Sequence, residues 1–110
     1  MNQAIKVTTA PQLGGYQITE NLGVVRGIVV RSPGFVRGLL GGLKSFVRGN
    51  IREYEEVCEQ ARSQAYERMV EHARTLGADG IVAMHYDATE FMQGVTEVLA
   101  YGTAVKLVRA

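Results

Sequence analysis

The spacing of hydrophobic residues changes period twice along the chain, and the changes mark out its elements. "AIKVTT" (4–9) is short and β-branched and is followed by Pro11, which predicts a first strand. In 16–31, "YQITENLGVVRGIVVR", Tyr16, Ile18, Leu22, Val24, Ile28 and Val30 fall on even positions, so a long strand is expected. A bend is expected at Gly23 or Gly27, since glycine inside a strand often marks a bulge. Ser32 as N-cap and Pro33 as first helical residue then predict a helix over 33–48.

The segment 51–76 carries Tyr54, Cys58, Ala61, Ala65, Met69, Ala73 and Leu76 at spacings of three and four, one stripe of an amphipathic helix. Glu53, Glu55, Glu56 and Glu59 near its start and Arg74 in its last turn suit the helix dipole, and Gly77 is placed as its C-terminal cap. "DGIVAMHYDA" (79–88) and "TEVLAYGTAVKLVR" (96–109) predict a closing hairpin with its turn near Gly94. The order β-β-α-α-β-β predicts an α+β fold, a small antiparallel or mixed sheet with two helices, in a single domain over 1–110.

Composition narrows the class without naming a function. A chain of 110 residues that is 46% hydrophobic and 21% charged reads as one ordinary globular domain. A net charge of +1 exerts no general pull on nucleic acid, so no nucleic-acid partner is expected. Cys58 is the single cysteine, which excludes an internal disulfide. The start has neither the basic end nor the apolar core of a secretory signal, and no apolar run is long enough to span a membrane. A cytoplasmic location is the expectation.

Four features invite a chemical reading. In "MHYDATE" (84–90), His85 and Asp87 differ by two and share a strand face, whereas Glu90 leaves the opposite face. His85 and Asp87 are therefore the candidate metal ligands, although a closed zinc site takes about four donors. An imidazole hydrogen-bonded to a carboxylate at a strand end is the plainer reading. Soft metals prefer thiolates, and Cys58 stands alone on the apolar stripe, where a small buried residue is expected. His72 sits where the helix dipole favours a cation.

"GLLGGLKS" (38–45) lacks the glycine before Lys44-Ser45 and the preceding strand that a phosphate loop needs. Gly34, Gly38 and Gly42 instead make a bare helix face for close packing between helices or subunits. Arg37, Lys44 and Arg48 share another face, which reads as a patch for an anion, a membrane surface or another partner, or as a solvated face pairing with the glutamates that follow. The last strand is apolar on both faces, Leu99, Tyr101, Val105 and Leu107 alternating with Val98, Ala100, Ala104 and Val108. Such a strand needs cover on both sides, and self-association is expected.

"NLGVVRG", "YEEVCEQARSQAYERM", "LGADGIVAMHYD" and "GTAVKL", in that order and spacing, resemble the YbjQ-like family over nearly the whole chain. The resemblance implies a dodecin-like subunit in a pentameric ring, a homo-oligomer whose main partner is itself, and a divalent or heavy metal as the candidate cofactor. Ile28 stands where the family usually has an acidic residue, and His85 where it often has another type. The reading that results is a non-enzymatic, self-assembling protein with weak metal or small-ligand binding. The alternative is an anion- or membrane-surface-binding module using the basic helix 33–48, a membrane surface being the less favoured partner.

Overall fold

The structure is a computed structural model that describes residues 4–31 and 51–110. Its elements in chain order are β1 (Lys6–Val7), β2 (Tyr16–Arg31), α1 (Ile51–Thr75), β3 (Gly80–Met92) and β4 (Val95–Arg109). The strands form one sheet in the order β1-β3-β4-β2. β4 pairs antiparallel with both β2 and β3, and β1 runs parallel to β3, so the sheet is mixed and the class is α+β. The helix expected over 33–48 lies outside the described residues. With it go Gly34, Gly38 and Gly42 and the basic set Arg37, Lys44 and Arg48.

β2 and β4 pair along almost their whole length, from Tyr16 opposite Arg109 to Arg31 opposite Thr96. Register shifts fall between Ile18 and Glu20 and between Asn21 and Gly23. Gly23 has φ +112°, which a residue with a Cβ rarely adopts, so the bend falls there. Gly27 serves a different purpose. It lies within regular pairing, but a Cβ on it would overlap the backbone oxygen of Ala65 and come within 2.7 Å of the Arg68 Cβ. Here the backbone of α1 lies directly against that of β2.

α1 buries Val57, Ala61, Ala65, Met69 and Ala73, each four residues from the last, against the sheet. The core cluster opposite them includes Val25, Val29, Ile81, Met84, Val98, Ala100 and Ala104. Alanines on the helix facing glycine and alanines on the strands bring the two backbones together. Among the described residues no polar side chain is buried. Two expectations of the helical stripe need correction. Cys58 is exposed, and Leu76 is 42% exposed. Neighbouring helical positions differ by about 100°, so only one of Val57 and Cys58 can face the sheet, and it is the branched hydrocarbon. Leu76 follows the last helical residue, where the stripe no longer continues.

The cap has the expected form. Gly77, at φ +74°, donates its N–H to Arg74 O at 2.9 Å, and Ala78 donates to Ala73 O at 3.1 Å. This pair of bonds satisfies the last helical carbonyls and turns the chain into β3.

β1 is shorter than the sequence pattern suggests. Hydrogen bonding to β3 nonetheless continues past it, from Thr8 N to Ile81 O, Met84 N to Thr8 O and Ala83 N to Ala10 O. The pairing is irregular because Ala83 has φ +54° and pushes β3 out of step. At the other side of the sheet, α1 covers the outer edge of β2. Arg68 donates to Ile28 O at 2.6 Å, and the Arg26 N–H donates to His72 Nδ1 at 3.2 Å. Side chains thus occupy groups that would otherwise template pairing with another strand.

Candidate functional site

The bulge in β3 decides where the candidate ligands go. Val82 lies opposite Thr103, but His85 lies opposite Tyr101, so β3 holds one residue more than β4 over this stretch. A single extra residue moves every following side chain to the other face. Ile81 before the bulge and Met84 within it both reach the core under α1. His85 and Asp87 therefore share the face turned away from the helix, beside Tyr101 and Leu99. In unbroken register His85 would oppose Ala100, beneath the helix.

His85 Nδ1 lies 2.9 Å from Ala83 O. A carbonyl oxygen only accepts, so Nδ1 is the donor, and in the neutral ring Nε2 carries the lone pair. The imidazole stacks on the Tyr101 ring with centroids 5.8 Å apart and planes at 26°. Asp87 accepts the Ala88 N–H on one carboxylate oxygen at 2.9 Å. Glu90 is on the opposite face, as expected, and accepts the Gly94 N–H at 2.8 Å, which ties down the β3–β4 turn. His72 is occupied at the edge of β2.

The structure thus brings His85 and Asp87 to one face and separates them from the chain's thiol. Cys58 rides on α1, on the other side of the sheet. Among the described residues no three His, Cys, Asp or Glu side chains come together as a metal-holding group. One imidazole, one carboxylate and no thiolate do not make a closed heavy-metal centre within one chain.

The surroundings of these two residues are apolar. On the face away from α1, Val24 is 68% exposed, Val30 50%, Ile28 38% and Tyr101 37%, and Leu99 is half-buried. Arg26 stands among them opposite Tyr101 on β2, and Asp87 and Glu97 lie on the same face across the sheet. The alternation in β4 made the two-sided character legible. Which side the helix takes is settled by Gly27.

On the helix side, sequence reasoning missed a second grouping. The Arg62 guanidinium lies over the Tyr86 ring at 5.4 Å, and Tyr66, Ser63 and Glu59 line the same recess. Burial, then the neighbouring Tyr66, raise the Tyr86 pKa above its ordinary value; Arg62 opposes them and Glu59 adds to them. The only advance signal was a pair of turns of helix bearing Glu59, Arg62 and Tyr66 on one side.

Comparison with other proteins places these features in a lineage. A family model described as "Putative heavy-metal-binding" matches residues 5–108. A UPF0145 protein of Chromobacterium violaceum is 57% identical over 107 residues, covering 97% of this chain and 92% of its own. A UPF0145 protein of Solibacter usitatus is 58% identical over 104 residues, covering 94% and 93%. Among solved structures, a protein of unknown function from Pediococcus pentosaceus, assigned to the DUF74 family, superimposes with a TM-score of 0.63. It is 20% identical, with 96% of this chain and all of that chain covered, and the likeness is one of fold. No helix among the described residues is long and apolar enough to cross a membrane. With the family match running over nearly its whole length and relatives more than half identical, this chain belongs to the YbjQ-like family.

Proposed function

We propose that this chain acts as a self-associating binding protein, not as an enzyme, and that the face of the sheet turned away from α1 is its contact surface with further copies. The observation that carries this reading is the strip of exposed Val24, Ile28, Val30 and Tyr101 around half-buried Leu99. A sheet with one face covered by α1 and the other apolar and, among the described residues, open gains burial by meeting another subunit. A second copy is the occupant favoured by charge. Arg26 and the pair Asp87 and Glu97 stand on the same face with no ion pair among the described residues, so one patch carries both signs and complements a copy of itself. Five subunits is the number the family resemblance suggests, and the interface physics asks for more than one.

Metal binding belongs to the assembly in this reading. Each chain offers His85 through Nε2 and the outward oxygen of Asp87, half of a four-coordinate set, and a neighbouring copy supplies the remainder. Light scattering on a size-exclusion column tests the association. Wild type at micromolar concentration elutes as an oligomer, and Arg26→Glu or Asp87→Arg alone shifts it to smaller species. The double charge swap restores the larger one. A wild-type monomer, or single variants that assemble normally, removes this face from the interface.

A further inference from the structure

The far end of the sheet holds a recess unrelated to the face described above. It lies where Tyr16 on β2 opposes Arg109 on β4, eight residues along β4 from Tyr101 and therefore roughly 27 Å from His85. Its volume is about 500 Å³, and Lys6, Tyr16, Asp79, Leu107 and Arg109 are among the residues lining it. That volume is within the range of small-molecule sites, roughly 300–1,000 Å³.

Charge in this recess is unbalanced. Lys6 Nζ lies 5.3 Å from the centre of the Tyr16 ring, and the Arg109 guanidinium carbon lies 5.6 Å from the same centre. The two cations are thus held within about 11 Å of each other, the sum of those distances, about the Debye length at ordinary ionic strength. Neither makes an ion pair among the described residues. Asp79, the acidic side chain among the described lining residues, is committed elsewhere: its Oδ2 accepts the Leu107 N–H at 2.9 Å and lies 3.6 Å from Lys106 Nζ. Lys6, Tyr16 and Arg109 are set by three different strands, since β1 is anchored to β3 by Lys6 N to Asp79 O and β2 to β4 by the Tyr16–Arg109 register.

We infer that this recess is a binding site for a small phosphate-bearing molecule. Arg109 supplies a planar fork suited to two phosphate oxygens, and Lys6 a compact second positive charge. An anion between them replaces the repulsion of two like charges with two attractions. The Tyr16 ring and Leu107 provide apolar wall for the organic part of the ligand, for which the recess leaves room beyond phosphate itself. This site does not depend on self-association or on a metal.

Calorimetric titration with inorganic phosphate and with adenosine monophosphate, adenosine serving as the uncharged control, tests the assignment. Both anions bind and adenosine does not, with affinity falling as salt rises. Tighter binding of the nucleotide assigns the ligand as an organic phosphate, and equal binding assigns it as the free anion. Lys6→Gln and Arg109→Gln each weaken binding by about tenfold, roughly the loss of one charge-assisted contact. Lys6→Arg restores affinity, Arg74→Gln on the surface of α1 leaves it unchanged, and circular dichroism confirms that each variant is folded. The inference is overturned if neither anion binds at about 10 mM in low salt, where screening is weakest. Binding unaltered in both glutamine variants overturns it as well.

Discussion

Replacing Gly27 by alanine should test the packing of the whole subunit with one methyl group. A Cβ at this position overlaps the Ala65 carbonyl oxygen and sits 2.5 Å from Met69 N and 2.7 Å from Arg68 Cβ. Carbon contacts are comfortable at about 3.5–4.0 Å, so α1 must withdraw from β2 by about 1 Å. The obstructing atoms are mostly helix backbone, which has no rotamer to change. A gap of that size forfeits roughly a quarter to a half of the dispersion attraction along the contact. Ala65, Met69 and Val25, all fully buried, lie along it. It also lengthens the bonds from Arg68 to Ile28 O and from Arg26 N to His72.

Overpacking costs about 1–3 kcal/mol, and rigid backbone on both sides places Gly27→Ala near 3. At about 4–8 °C per kcal/mol for a domain near this size, the midpoint of thermal unfolding falls by about 12–24 °C. Far-ultraviolet circular dichroism during heating, at fixed protein concentration because association stabilises, reads this directly. Gly14→Ala is the control: its Cβ meets no atom within 4 Å, and its change should stay within about 0.5 kcal/mol. If Gly27→Ala is also within about 0.5 kcal/mol of wild type, α1 does not rest on β2 at this point and the close approach of helix and sheet is refuted.

Three other perturbations probe separate elements. Arg68→Ala removes the donor to Ile28 O and should cost about 1 kcal/mol in urea unfolding while increasing thioflavin-detected aggregation, since it opens the β2 edge; unchanged aggregation would argue that the edge is protected otherwise. Tyr86 keeps its proton more tightly in the folded chain than in the unfolded one, so its contribution is complete below its ordinary pKa of about 10 and is lost as pH rises through the higher folded value. The decline in stability above about pH 10 should therefore be shallower in Tyr86→Phe, and tyrosinate absorbance should assign the late-titrating phenol to Tyr86. His85→Ala should abolish calorimetric zinc or copper binding by the assembled protein while leaving oligomer mass unchanged, and unaltered affinity would clear this residue of a metal role.

Most of the described elements were legible because local chemistry sets them, although β1 is shorter and β3 longer than the pattern suggests. The glutamates and Gly77 bound α1, and the cap bonds at Ala73 and Arg74 realise what a glycine after a helix predicts. The period of two marked β2 as a long strand and Gly94 marked the turn between β3 and β4, while the pairing of β2 with β4 and the register shifts in both pairs came only with the tertiary structure. Cys58 was misjudged because Val57 and Cys58 give stripes of similar quality, and only the tertiary fold, which buries Val57 and leaves Cys58 exposed, chooses between them.

Strand spacing put His85 and Asp87 on one face, and this was determined by the sequence alone, because β geometry alternates whatever the surroundings. Which face they occupy was decided by the bulge at Ala83, whose φ of +54° is stabilised by bonds from Ala83 N to Ala10 O and from Met84 N to Thr8 O. Those partners lie more than seventy positions away along the chain. Likewise, a glycine at 27 was visible as a weak point in a strand, but its role as the seat of α1 exists only once Ala65 is laid across it. The recess of Lys6, Tyr16 and Arg109 gathers residues from both ends of the chain, and no local pattern announces it. Local periodicity records what each segment can bury; the pairing of distant segments decides against what it is buried and which charges are left facing one another.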